Sequence, residues 1–137
     1  MKYIKFPKKK NLKNIEIFFN KIGLGDLVIN SKLKKKTEFL KKSSEPFKPE
    51  LFDLYNLYQY VLLNKRTTIM EFGSGWSSLV FIAALNNLKK MYYAEAKNLQ
   101  RRNLFEIFII ENEKKYLDIT KKNIKKFIKK NNIKNIK

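Results

Sequence analysis

Neither cysteine nor histidine occurs anywhere in the 137 residues. Without cysteine there are no disulfides and no thiolate chemistry, and without histidine there is no imidazole base or ligand. Together the two absences disfavour common zinc sites, serine–histidine triads and cysteine nucleophiles. Glycine (four residues) and proline (three) are so scarce that each one punctuates the chain. Long apolar runs are missing too. The longest, Leu79 to Leu85, is far too short to span a bilayer. The N-terminal stretch is basic but carries no apolar h-region, so no secretory signal is read there and a cytoplasmic location is expected.

Lysine dominates what remains. The formal charge is +19, and of 31 basic residues only Arg66, Arg101 and Arg102 are arginine. Such a balance invites a nucleic-acid or polyanion partner. Lysine is accompanied by many asparagines and isoleucines, a trio that AT-rich codons favour, so coding bias is the competing explanation. Arginine, the better fork for phosphates and guanine edges, is nearly absent. A hydrophobic fraction of 44% and an aromatic fraction of 14% describe a chain able to bury a core. Its length suits one structural domain of about 100–200 residues.

In chain order, residues 1–11 read as a basic arm. Leu12, Ile15, Phe18, Phe19 and Ile22 recur at helical spacing, and Gly23 and Gly25 mark that helix's end. Leu27-Val28-Ile29 is a short strand or merely an anchoring run, Lys32 to Lys42 a lysine-rich helix, and Ser43 to Pro49 a linker. Pro49 suits the first turn of a strong helix whose stripe is Leu51, Leu54, Tyr55, Tyr58, Val61 and Leu62. Tyr55, Tyr58 and Tyr60 line a ligand or, as is commoner for such stripes, the core. Thr67 to Phe72 reads as a buried strand, and Ser77 or Ser78 as the cap of a helix running to about Lys90. After a polar excursion, Leu104 to Ile110 has the near-continuous apolar end of a strand covered on both faces. A last helix follows Glu113, with lysine pairs outward. Helical crossovers between buried strands imply a parallel, right-handed βαβ unit.

Between the first strand and its helix lies Glu71-Phe72-Gly73-Ser74-Gly75-Trp76-Ser77-Ser78. Two glycines around one residue allow a sharp turn and a close approach to a ligand, and a helix N-terminus points into the same space. No Gly-Lys-Ser/Thr follows, which excludes a Walker loop, and Gly-x-Ser-x-Gly is not formed. The Gly-x-Gly-x-x-Gly dinucleotide pattern is met at Gly73 and Gly75 but has Ser78 in third place.

Glu-x-Gly-x-Gly followed by a bulky residue and small hydroxyls resembles motif I of class I S-adenosylmethionine-dependent methyltransferases. Phe47-Lys48-Pro49-Glu50 and its tyrosine-rich helix look like the helix before that family's first strand. Phe108-Ile109-Ile110-Glu111-Asn112-Glu113-Lys114-Lys115-Tyr116 looks like its second strand, acidic end and following helix. The resemblance implies an α/β, partial Rossmann-like methyltransferase fold over residues 47–137, preceded by a basic helical extension over 1–46. It implies S-adenosylmethionine as cofactor. Gly73, Ser74 and Gly75 would pass under its methionine part, Glu71 would favour the amino end directly or through water, and Glu111 would take the ribose hydroxyls. Asn112 and Glu113 fall where neighbouring nucleoside contacts are expected. The reaction would be methyl transfer to an unknown acceptor, with no metal.

Two departures belong with the resemblance. Glu111 follows Gly73 at a greater distance than the roughly 20 residues of a compact dinucleotide unit. The family's later strands, which carry its catalytic groups and acceptor pocket, are not found before Lys137, so a fragment, a split product or a chain needing a partner is expected. The open apolar sheet edge would favour self-association or a partner chain. A lysine-rich polyanion-binding module and a dinucleotide-binding fragment are the alternative readings.

Overall fold

The computed structural model describes residues 3–33 and 47–134. The chain is mixed α/β, with elements in the order α1 (Leu12–Lys21), α2 (Gly25–Lys32), α3 (Leu51–Leu63), β1 (Thr68–Phe72), α4 (Trp76–Ala96), β2 (Glu106–Ile110) and α5 (Lys114–Lys130). Most of the lysine-rich 32–42 segment and the start of the linker lie outside the described residues.

Asn11 opens α1 by accepting the Asn14 N–H at 2.9 Å, and Gly23 closes it while the Leu24 N–H returns to the Phe19 carbonyl at 2.8 Å. Gly25 starts a new helix rather than trailing the old one. Leu27-Val28-Ile29 is accordingly helical: Leu27 and Val28 are buried and Ile29 is exposed, a neighbouring pair that a helix turns to one side and a strand would split between faces. Pro49 precedes the Glu50 N-cap of α3 instead of occupying the first turn.

The α3 stripe is core. Leu51, Leu54, Tyr55, Tyr58 and Val61 are buried, with Phe18 of α1 edge-on to Tyr55 (5.1 Å) and Tyr58 (4.9 Å). Burial pushes the Tyr58 hydroxyl's pKa up, against the amide of Asn87, which donates to it at 2.9 Å. Tyr60 packs edge-on to Phe6 of the N-terminal arm. Tyr55 and Tyr58 thus join α3 to α1 and α4, while Tyr60 fastens the arm. The same apolar cluster runs from Ile15 and Leu27 through α3 into Val80, Leu85 and Leu88 of α4 and ends at Phe127 of α5.

The strands pair in parallel, Thr68 opposite Glu106 through Phe72 opposite Ile110. Strand β2 begins later than the apolar pattern suggests, because Phe105 sits at φ 60°, a left-handed conformation that cannot continue a strand. Phe105 is held there by burial and by its N–H on the Thr67 carbonyl at 2.6 Å. A larger correction concerns the sheet's faces. Ile69, Glu71 and Ile107 lie on the side the helices cover, while Met70, Phe72, Phe108 and Ile110 on the other side are exposed. Among the described residues both strands are therefore covered on one face only, so β1 is half-buried rather than a buried strand. No helix among them is long and apolar enough to cross a membrane.

Candidate functional site

The site forms where both strands end. Gly73 leaves β1 at φ 88°, a left-handed turn that suits glycine, and its N–H carries the ladder one step further by donating to the Ile110 carbonyl at 2.8 Å. Ser74 then meets Glu111, the first residue after β2. Its backbone N–H and its hydroxyl both donate to Glu111 Oε2 at 2.9 Å, and the Glu113 N–H donates to Oε1 at 3.0 Å. These donors favour the ionised form. The Glu113 N–H is the strongest of the influences that hold the Glu111 carboxyl below its ordinary pKa, followed by the Ser74 hydroxyl.

Glu71 lies beneath the turn. Its carboxylate accepts the Ser77 hydroxyl on one oxygen and the Ser78 hydroxyl, at 2.6 Å, on the other. Burial raises its pKa, and the two hydroxyls oppose that rise only in part. Neither serine is the N-cap of α4, which begins at Trp76 with Gly75 in that place, but Ser78 at the third helical position supplies the capping-box bond to the Gly75 N–H. Both serines face inward from the first turn, and Ser78 Oγ accepts that N–H at 3.2 Å. Each hydroxyl thus links the helix start to the strand before it.

Above the loop is a cleft of about 370 Å³, bounded by Phe47, Glu50 and Asp53 before and within α3, by residues 73–77, and by Glu111 and Tyr116. Trp76 Nε1 donates to the Phe47 carbonyl at 2.7 Å, fastening the segment that leads into α3 over the start of α4. A side-chain carbon added at Gly73 or Gly75 would meet nothing within 4 Å. Gly75 is extended, so neither its backbone nor packing among the described residues calls for glycine there. A ligand pressed against the loop would.

Of the residues singled out from sequence, Gly73, Ser74, Gly75 and Glu111 converge on this cleft. Glu71 is placed under the loop with both oxygens already bonded, outside the cleft lining. Asn112 is exposed and acts on the site through its backbone N–H, which helps lower the Glu111 pKa. Glu50, Trp76 and Tyr116 stand in the motif stretches without a site role read from them, and the structure adds them and Asp53 to the cleft. Asp53 had one available signal, a carboxylate in the first turn of a helix, which reads equally well as a partner for the helix dipole. Among the described residues no group of three acidic side chains could hold a metal ion.

No protein-family model, no curated protein and no solved structure matches this chain.

Proposed function

We propose that this cleft binds S-adenosylmethionine and that the chain is a Rossmann-like, methyltransferase-type cofactor half-site. The observation that carries the reading is the state of the loop's N–H groups. Those of Gly73, Ser74 and Gly75 are taken by the Ile110 carbonyl, the Glu111 carboxylate and the Ser78 hydroxyl. A dinucleotide's pyrophosphate needs such donors free. Here the loop presents a carboxylate instead.

Charge argues the same way. Of 12 acidic residues in a +19 chain, Glu50, Asp53 and Glu111 line the cleft, with Lys48 also on it. Local negative charge favours a ligand with ammonium and sulfonium groups over one with phosphates. Glu111 would hold the ribose hydroxyls. Its oxygens already accept three hydrogen bonds, and turning the Ser74 hydroxyl away would free a position while the two backbone donors keep the carboxylate ionised and aimed. Gly73 and Gly75 would let the methionine part lie against the backbone, and Glu50 and Asp53 would face its ammonium end. Bound there, the cofactor supplies an electrophilic methyl group. Positioning it is the task of the residues named here.

Calorimetry with S-adenosylhomocysteine tests the reading. Micromolar or tighter binding that NAD does not compete away is the expected result. No heat of binding from a folded sample would refute it, and competition by NAD would favour a dinucleotide site.

The lysine face of α5 favours a second reading, polyanion binding. Lys121, Lys122, Lys125 and Lys129 are exposed on the side away from buried Thr120 and Phe127. Binding to single-stranded RNA that weakens steeply with salt is its signature.

A further inference from the structure

Among the described residues no element packs on one side of the sheet, and beyond the Thr68 and Glu106 pair that side is apolar. Met70 (61% exposed) lies opposite Phe108 (42%), and Phe72 (78%) lies opposite Ile110 (49%), so four large side chains form one contiguous block. Isolated exposed apolar residues are ordinary, but a contiguous block marks an interaction surface. The strand chemistry agrees. A strand with one wet face alternates polar and apolar residues, whereas Ile107-Phe108-Ile109-Ile110 does not. Among the described residues each strand of this two-stranded sheet also has one edge free of pairing.

The strand starts are charged, and Thr68 opposite Glu106 is the first pair on this face. All three arginines stand at the end where the chain enters the strands: Arg66 just before β1, and Arg101 and Arg102 just before β2. The starts of the two strands are tied together by the Thr68 hydroxyl on the Asn103 carbonyl (2.6 Å) and by the Phe105 N–H on Thr67. Arg66, Arg101 and Arg102 are exposed, and none makes an ion pair among the described residues. In a chain that otherwise uses lysine for positive charge, this end carries the residue suited to bidentate carboxylate binding.

We propose that this exposed sheet face is the docking surface of an acidic protein partner. The partner adds a strand to the free edge of β1, covers the Met70–Phe72–Phe108–Ile110 block with apolar side chains, and sets carboxylates against Arg66, Arg101 and Arg102. A second copy of this chain is the poorer occupant, since each copy carries +19 and the like charges repel. A nucleic acid is poorer too, because its interfaces are polar and offer nothing to bury four large apolar side chains. The inference is independent of what the cleft binds.

The test places a benzophenone amino acid at position 72 of the full chain and irradiates it in extract of the cells that make the protein. The captured polypeptide is then identified by mass spectrometry, produced separately and titrated against the unmodified chain. The expected partner is a protein of acidic isoelectric point. Met70→Lys and Phe108→Lys should each weaken it by more than about tenfold. Arg101→Glu combined with Arg102→Glu should weaken it about fivefold and flatten the salt dependence. Lys13→Glu, on α1, should stay within about twofold of wild type. Met70 is the more exposed of the two apolar positions, so its variant keeps the test decisive if Phe108→Lys fails to fold. An adduct only with a second copy, an adduct only with RNA, no adduct, or binding indifferent to both lysine variants would overturn the proposal.

Discussion

The two strands end in carboxylates of opposite character. Glu71, one residue before the end of β1, points to the covered side, is buried, and has both oxygens committed to serine hydroxyls of α4. Glu111, one residue past the end of β2, sits at the cleft, is held by backbone N–H groups and one serine, and stays partly exposed. Burial raises one pKa and directed donors lower the other. The same side chain, moved one or two positions along a strand end, becomes a strut in one case and an accessible acceptor in the other. A sheet places alternate residues on opposite faces, and a residue beyond the last pair escapes that rule.

That division can be broken most sharply at Glu111. Glu111→Ala should reduce affinity for S-adenosylhomocysteine by more than about thirtyfold while leaving the melting temperature nearly unchanged, as read by calorimetry and thermal melts. Glu71→Ala should do the reverse. It strands two hydroxyls, and urea titration should show a loss of about 2 kcal/mol. Binding measured on the fraction that stays folded should change little. If Glu71→Ala abolishes binding without destabilising, the assignment of roles is backwards.

Gly75→Arg sharpens the comparison on the cleft side. The backbone at 75 accommodates any side chain and the space above it is open. The variant should fold with a stability cost below about 1 kcal/mol, that of a changed N-cap, and should bind at least about tenfold more weakly as the new side chain fills the cleft.

The smallest effect is in pH. Glu71 has a raised folded pKa, so its contribution is fully present below the ordinary carboxylate value and is lost as pH rises through the folded value. Glu111 has a lowered one, so its contribution is present above the ordinary value and is lost as pH falls through the folded value. Denaturant melts across the acid range should show Glu71→Gln flattening the upper side of the profile and Glu111→Gln the lower side. Identical profiles for the two variants would contradict the opposite shifts.

Much of the fold was legible because it rests on local periodicity. The stripes of α1 and α3, the two strands, and the turn at Gly73 lie within a residue or two of where the pattern puts them. The start of β2 was not legible, since nothing in the letters around Phe105 announces a left-handed phenylalanine. Nor was α2, where Leu27-Val28-Ile29 is too short for its period to be read and packing on α1 and α3 decides. At the site, the loop and Glu111 were visible as motif residues. The Ser77 and Ser78 bonds to Glu71 were not, because hydroxyls at a helix start read as caps until the strand behind them is in place.

The sequence by itself determined the order of elements from α3 onward, the apolar stripes of α1 and α3, the glycine turn and the acidic residue that closes the second strand. These follow from spacing along the chain. Tertiary structure alone decided which acid is buried and which stands open, that Asp53 and Glu50 reach the same cleft, and that Met70, Phe72, Phe108 and Ile110 are exposed on one face of the sheet. Those are relations between residues far apart in sequence, and only packing fixes which side each element turns inward.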